Sequence, residues 1–130
     1  MSRLPKLALF RIVVILAPLW VMAVTPGLAK EMSGMADFPL VLAADLPKEA
    51  RDTLHLIHQD GPFPYAKDGV VFSNREKTLP RQPRGFYHEY TVKTPGVRNR
   101  GALRIVCGGK NPPACYFSGD HYQTFKKIKE

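Results

Sequence analysis

Phe86-Tyr87-His88-Glu89-Tyr90-Thr91-Val92 is a run of aromatic and β-branched residues, a composition that favours a β-strand. Because successive side chains of a strand point to opposite faces, this run has two different sides. The more apolar side carries Phe86, His88, Tyr90 and Val92, and the other side carries Tyr87, Glu89 and Thr91. The strand therefore places the carboxylate of Glu89 on the face opposite the more apolar set.

The segments around this strand indicate one helix followed by further strands. Asp45 is a candidate N-cap, Pro47 suits a first helical turn, and a breaker at Asp60-Gly61 ends the pattern. The apolar residues between them recur at helical spacing and are Ala50, Leu54 and Ile57. Further β-type runs occupy residues 70–72, 102–106, 116–118 and 122–128. This order predicts an α+β fold, in which one N-terminal helix packs on an antiparallel β-sheet.

The run at residues 102–106 carries a basic residue that alternation assigns to one face. Leu103 and Ile105 point one way, while Arg104 points the other way. If this run pairs with the strand that contains Glu89, the guanidinium and the carboxylate share a face of the sheet.

The first residues of the chain have the pattern of a signal peptide. Arg3, Lys6 and Arg11 precede an apolar run at residues 12–24, which is too short to span a membrane as a helix. Small residues near Ala29 then predict cleavage after that position, and an uncleaved membrane anchor is the alternative. We expect a signal peptide over residues 1–29, a largely unstructured leader over 30–44 and a single domain over 45–130.

Charge and cysteine content fit an exported protein that meets polyanions. The formal charge of the 130-residue chain is +8, and removal of residues 1–29, which hold three basic and no acidic residues, leaves +5. A basic surface speeds encounters with polyanions, although it does not identify one. Cys107 and Cys115 are expected to form a disulfide in an oxidising compartment, and their spacing does not fit a four-ligand zinc site.

Seven short segments together resemble the secreted bacterial guanyl-specific ribonucleases, above all the ribonuclease Sa type, with barnase as a more distant relative. The resemblance runs from Leu46-Pro47 to the C-terminus and therefore covers the whole predicted domain. The segments are residues 60–65, 68–72, 74–76, 87–92, 94–96, 98–101 and 119–122. The resemblance implies the microbial ribonuclease fold and an enzyme that needs neither a metal nor another cofactor.

The resemblance also assigns the catalytic groups. It implies that Glu89 is the general base that takes the proton of a ribose 2′-hydroxyl, and that His121 is the general acid that protonates the leaving oxygen. It implies that Arg100 and Arg104 bind the phosphate, for which forked guanidinium donors are well suited. From composition alone, a solvated basic edge formed by Arg98, Arg100 and Arg104 is the favoured interpretation, and the surrounding motif reverses that preference.

Base recognition is assigned to the loop after the strand at residues 70–72. The resemblance gives Glu76 the two N–H groups of the guanine edge, and gives the backbone amides around Asn74 and Arg75 the O6 acceptor. Phe72 and Tyr122 are candidates for stacking on a base or lining the phosphate site, and each is equally a candidate core aromatic.

The predicted function is a secreted, periplasmic or extracellular, endoribonuclease that cuts single-stranded RNA 3′ of guanosine through a 2′,3′-cyclic phosphate. A catalytically weak basic protein that binds RNA or anionic surfaces is the alternative, and a ribonuclease toxin used in competition is a further one. We expect a monomer without membrane contact in the mature form, and a small acidic, barstar-like protein inhibitor is a possible partner.

Overall fold

A computed structural model describes residues 38–110 and 112–130, so the predicted signal peptide and residues 30–37 of the predicted leader lie outside the described residues. One helix, α1 (Lys48–His58), follows a short first strand and a 3-10 turn at Ala43–Asp45. The strands are β1 (Leu40–Leu42), β2 (Val70–Phe72), β3 (Tyr87–Thr91), β4 (Arg104–Gly108), β5 (Ala114–Ser118) and β6 (Lys126–Lys129). Among the described residues, no helix has the length and apolar character needed to cross a membrane.

The strands form a single six-stranded sheet in the order β1-β6-β5-β4-β3-β2. The pairs from β2 to β6 are antiparallel, as predicted, and they form a meander. The helix packs on one face of this sheet, which confirms the predicted α+β class.

Strand β1 corrects the predicted extent of the leader. Leu40–Leu42 pairs in parallel with β6, with Leu40 opposite Lys127 and Leu42 opposite Lys129. The ordered fold therefore includes residues that were assigned to an unstructured segment before residue 45. The strand is only three residues long and its partner lies at the other end of the chain, so no local sequence pattern predicts it.

The start of α1 also differs from the prediction, because Asp45 is not its N-cap. Asp45 belongs to the preceding 3-10 turn, and the N-cap position is occupied by Pro47, without a side-chain cap hydrogen bond. A residue before proline is disfavoured in the helical region, and Leu46 is accordingly extended. The Arg51 guanidinium secures this end of the helix by donating to the Leu46 carbonyl at 2.8 Å.

The two faces of the sheet bury separate hydrophobic clusters. The cluster under α1 contains Ala50, Leu54, Val92, Ile105, Cys107, Cys115 and Ile128. The cluster on the opposite face contains Leu79, Tyr87, Val106, Tyr116 and Phe125. Ile105 and Val106 in β4 are both fully buried, one toward each cluster, so β4 is the centre of the fold.

The predicted disulfide between Cys107 and Cys115 is present. The two cysteines are directly paired residues of β4 and β5, and both belong to the cluster under the helix. The bridge therefore crosslinks the central hairpin on the side of the sheet away from Glu89.

Replacement of both cysteines by alanine is expected to lower the free energy of unfolding by about 2.5 kcal/mol. The bridge closes a loop with a sequence separation of 8, and chain entropy for such a loop gives about that value. Urea unfolding of the oxidised protein and the double variant measures the difference. A loss below about 1 kcal/mol would contradict a stabilising role for the bridge.

Candidate active site

Glu89 lies in the middle of β3, on the face away from the helix. In the antiparallel register, Glu89 is opposite Val106 of β4, and Thr91 is opposite Arg104. The two strands are neighbours, so Arg104 shares the face of Glu89 as alternation predicted. The Glu89 side chain is 15% exposed, so it is largely buried without being closed off from solvent.

Two side chains contact the Glu89 carboxylate. The Tyr122 hydroxyl donates a hydrogen bond to Oε2 at 2.9 Å. A terminal guanidinium nitrogen of Arg100 lies 3.6 Å from Oε1. The carboxylate is therefore oriented from both sides by groups that belong to other segments of the chain.

Arg100 is held by a hydroxyl group. Thr91 Oγ1 accepts hydrogen bonds from Nε of Arg100 at 3.0 Å and from Nη2 at 2.8 Å. Thr91 is itself 2% exposed, and its backbone N–H donates to Asp68 Oδ1 at 2.7 Å. Thr91 and Asp68 were not among the predicted site residues, because their contacts with the site depend on tertiary hydrogen bonds.

Arg104 is a buried cation whose hydrogen-bond acceptors are neutral. It is 2% exposed, and its Nη1 donates to the carbonyls of Arg100, Gly101 and Leu103 at 3.2, 3.0 and 2.8 Å. Its Nε donates to the Tyr122 hydroxyl at 3.1 Å. Within residues 38–110 and 112–130, no carboxylate forms an ion pair with Arg104. A buried positive charge without a counter-ion is costly, so this position favours the binding of an anion.

His121 and Tyr122 lie in a tight turn after β5. Both residues adopt left-handed backbone conformations, with φ of 54° and 71°, which cost on the order of 1–3 kcal/mol each for residues other than glycine. Asp120 holds the turn by accepting from Ser118 Oγ and from the backbone N–H of Thr124, both at 2.9 Å. The hydrogen bonds from Thr124 are the main reason that the pKa of Asp120 lies below its usual range.

The turn presents the His121 imidazole to the site. The His121 backbone N–H donates to the Ala102 carbonyl at 3.0 Å, which ties the turn to the segment before β4. The imidazole is exposed, and its ring centroid lies 4.9 Å from that of Tyr122. Residues 122–125 were predicted as part of a strand. They belong instead to a turn, which the Asp120 hydrogen bonds stabilise, and β6 begins only at Lys126.

The predicted base-recognition loop faces this turn across a cleft of about 290 Å³. The lining residues are Phe72, Ser73, Asn74, Arg75, Glu76, Thr78, His121, Tyr122 and Gln123. The Asn74 side chain stabilises the loop by bonding to both the N–H and the carbonyl of Leu79, at 3.1 and 3.0 Å. Its side-chain amide is thus engaged within the protein, and the backbone of the loop is left to face the cleft.

Phe72 packs against the hydrophobic cluster and also lines the cleft, which are the two roles considered for it. Its ring stacks on Tyr122 with centroids 5.2 Å apart and an interplanar angle of 24°, and it packs against Phe125 at 6.0 Å. It therefore belongs to the edge of the hydrophobic cluster and also to the wall of the cleft.

His88 lies on the face of β3 that packs against the helix, away from Glu89. Its Nδ1 is 2.9 Å from the Gly69 carbonyl, so this histidine secures the neighbouring segment.

In the part of the chain that the structure describes, no group of three or more His, Cys, Asp or Glu side chains is arranged to hold a metal ion.

The fold and this site define a member of the ribonucleases. The sequence model of the ribonuclease family matches residues 33–129, and the chain belongs to this family. Guanyl-specific ribonuclease Sa from Kitasatospora aureofaciens is 57% identical over 90 residues, which are 69% of this chain and 93% of that relative.

Solved structures agree with the family assignment. A structure of ribonuclease Sa2 in complexes with mononucleotides matches with a TM-score of 0.69 and 49% identity, and covers 72% of this chain and 95% of that one. A structure of ribonuclease Sa2 with 3′-GMP matches with a TM-score of 0.65 and 49% identity, and covers 71% and 97%. The resemblance predicted from the seven segments is confirmed.

The contact between Tyr122 and Glu89 predicts a measurable change in titration. Burial is the largest cause that raises the pKa of Tyr122, and the hydrogen bond to Glu89 and the Glu89 charge raise it further, whereas Arg104 lowers it. Glu89→Gln is therefore expected to lower the pKa of Tyr122, as followed by NMR of the tyrosine ring carbons. Glu76→Gln is the matched control, and an unchanged or higher Tyr122 pKa in the Glu89 variant would contradict the geometry.

Proposed function

We propose that this chain is a guanyl-specific endoribonuclease that cuts single-stranded RNA 3′ of guanosine, with Glu89 as general base and His121 as general acid. The observation that carries this proposal is the meeting of Glu89, Arg100 and Arg104 on one face of the sheet. The similarity to guanyl-specific ribonucleases supports the same reaction.

In the first step, Glu89 removes the proton of the ribose 2′-hydroxyl. The 2′-oxygen attacks the adjacent phosphorus, the bond from phosphorus to the 5′-oxygen of the next nucleotide breaks, and His121 protonates that oxygen. The products are a 2′,3′-cyclic phosphate and a free 5′-hydroxyl. DNA lacks the nucleophile and is not a substrate.

In the second step, water replaces the departed 5′-hydroxyl and the two groups exchange roles. His121 takes a proton from the water, which attacks phosphorus, and Glu89 returns a proton to the 2′-oxygen as its bond to phosphorus breaks. The product is a 3′-phosphate. The solved structure of ribonuclease Sa2 with 3′-GMP is consistent with such a product in a related site.

Arg100 and Arg104 offset the charge that develops on the phosphate oxygens in both steps. The Arg104 guanidinium is already desolvated and fixed by three carbonyls, so little reorganisation is needed when the phosphate arrives. Arg100 is fixed by Thr91 in a comparable way. The Tyr122 hydroxyl accepts from Nε of Arg104 and donates its single proton to Glu89, so it holds the guanidinium and the carboxylate in fixed positions relative to each other.

Selection of guanine falls to Glu76 and the loop before it. The Glu76 side chain is exposed at the cleft that also contains His121, so a base in contact with the loop has its phosphate near the general acid. A carboxylate accepts from N1–H and the 2-amino group of guanine, and adenine has neither donor. The backbone amides near Asn74 and Arg75 complete the match by donating to O6.

Export and partners complete the proposal. We propose that the chain leaves the cytoplasm after cleavage near Ala29, on the evidence of the sequence at residues 1–29. Single-stranded RNA is the proposed substrate. A monomeric state and an acidic, barstar-like inhibitor that covers Arg100, Arg104 and His121 remain predictions.

A short RNA with one guanosine tests the reaction directly. In the presence of EDTA, we expect one cut 3′ of the guanosine, with a cyclic phosphate end that mass spectrometry identifies. Glu89→Gln is expected to reduce the rate by about 10²–10⁴-fold without loss of folding, because the general base is removed. Glu49→Gln, on α1, is the matched control and is expected to cut normally.

The outcomes of this experiment separate an enzyme from a binding protein. Intact RNA with a folded wild-type protein would overturn the enzyme proposal and favour a basic RNA-binding protein. Equal rates for the wild type and the Glu89 variant would remove Glu89 from its proposed role.

A further inference from the structure

A second cleft, of about 400 Å³, lies on the other side of the base-recognition loop. It is lined by Phe72, Ser73, Asn74, Arg75, Gln82, Pro83, Arg84 and Tyr87. The two clefts share the segment from Phe72 to Arg75 as a common wall. The second cleft contains neither Glu76 nor His121, and the proposed reaction gives no role to its other wall, formed by Gln82, Pro83, Arg84 and Tyr87.

The segment that forms the second cleft is strongly basic. Residues 73–85 contain Arg75, Lys77, Arg81 and Arg84, and Glu76 is their only acidic residue. Such a concentration of positive charge in 13 consecutive residues attracts a polyanion to this side of the loop.

Two guanidinium groups of the cleft are available to a ligand. Arg75 and Arg84 are exposed lining residues, and neither forms an ion pair or a side-chain hydrogen bond with any residue that the structure describes. Arg51, Arg100 and Arg104, in contrast, are engaged by protein acceptors. Forked guanidinium donors without protein partners are suited to phosphate oxygens.

The remaining lining groups suit the rest of a nucleotide. The Tyr87 hydroxyl donates to the Pro80 carbonyl at 2.6 Å and the residue is 4% exposed, so Tyr87 forms the floor of the cleft and leaves no free polar group there. Phe72 and Pro83 add apolar surface, and the Gln82 amide adds a donor and an acceptor. The cleft thus combines phosphate-binding groups with surface for a sugar or a base.

The direction of an RNA strand follows from the position of the general acid. The 3′-oxygen of the recognised guanosine carries the scissile phosphate, which must lie near His121. The 5′-oxygen of the same guanosine leads to the preceding nucleotide, and a strand that continues away from the general acid crosses the shared wall toward the second cleft. We propose that the second cleft is an RNA subsite that binds the phosphodiester and the nucleotide on the 5′ side of the guanosine, with Arg84 as its specific phosphate contact.

This subsite rests on the proposed function. It predicts that the efficiency of cleavage depends on whether a nucleotide precedes the guanosine. A dinucleotide that begins with guanosine reaches only the catalytic cleft. A trinucleotide with one residue before the guanosine reaches both clefts and gains binding energy from Arg84. The gain should diminish as salt increases, since the contact is between exposed charges.

The test compares kcat/KM for GpU and UpGpU, which present the same scissile bond. In the wild type we expect UpGpU to be cut about tenfold more efficiently, because hydrogen bonds between charged groups are worth about this factor. Arg84→Gln is expected to bring the ratio close to one. Arg81→Gln is the matched control, since Arg81 lies in the same basic segment but does not line the cleft, and it should keep the wild-type ratio.

Three outcomes would overturn the subsite. They are an unchanged ratio in the Arg84 variant, an equal loss in the Arg81 variant, and a wild-type gain from 3′ extension (GpUpU over GpU) with none from 5′ extension. Cleavage of GpU itself tests the proposed function separately, because GpU does not enter the second cleft.

A binding measurement tests the proposed subsite without requiring cleavage of the ligand. Deoxyguanosine 3′-monophosphate and the same nucleotide extended by a 5′ deoxyuridylate are not cleaved, and their affinities can be compared by NMR titration. Tighter binding of the extended compound, lost in Arg84→Gln and kept in Arg81→Gln, supports the subsite. Equal affinities in the wild type would overturn it.

Discussion

The register between β3 and β4 is the constraint on which the site depends. Glu89 faces Val106 and Thr91 faces Arg104, so the carboxylate and the guanidinium groups project from the same side of the sheet. A shift of one residue would turn Glu89 toward the helix. Burial on both faces of β4 prevents such a shift, because Ile105 and Val106 are both fully enclosed. The hydrophobic clusters thereby fix the relative positions of Glu89 and Arg104, although neither residue belongs to a cluster.

The site contains two guanidinium groups, of Arg100 and Arg104, and one carboxylate, that of Glu89. The single negative charge does not balance the two positive charges. Arg104 is buried against carbonyls and a hydroxyl, and Arg100 is fixed by Thr91 with Glu89 3.6 Å away. The buried Arg104 guanidinium, whose partners are neutral, destabilises the empty site, and an incoming phosphate removes that cost. The left-handed backbone at His121 is a second local cost, maintained by the hydrogen bonds of Asp120. Both features are expected of a site built to bind an anion rather than to stabilise the fold.

The sequence predicted the parts of the structure that follow from local pattern. Alternation placed Glu89 and Arg104 on one face on the condition that their strands are neighbours, and the two cysteines of an exported chain predicted the disulfide. It did not predict β1, because Leu40–Leu42 is short and pairs with the distant β6. It also extended the last strand over Tyr122, whose aromatic character favours a strand but whose backbone is held in a turn by the hydrogen bonds of Ser118 and Asp120. The support that Thr91 gives to Arg100 depends on tertiary hydrogen bonds that no sequence spacing expresses.

The most direct test of the account is a backbone amide NMR titration with guanosine 3′-monophosphate. If the base lies against the loop and the phosphate lies on the arginine face, the largest shifts will be at residues 74–76, 100–104 and 121–122. The amides of α1, on the far side of the sheet, will remain unchanged. Shifts centred on the helix face, or shifts of equal size with adenosine 3′-monophosphate, would contradict the assignment of the site and of its guanine preference.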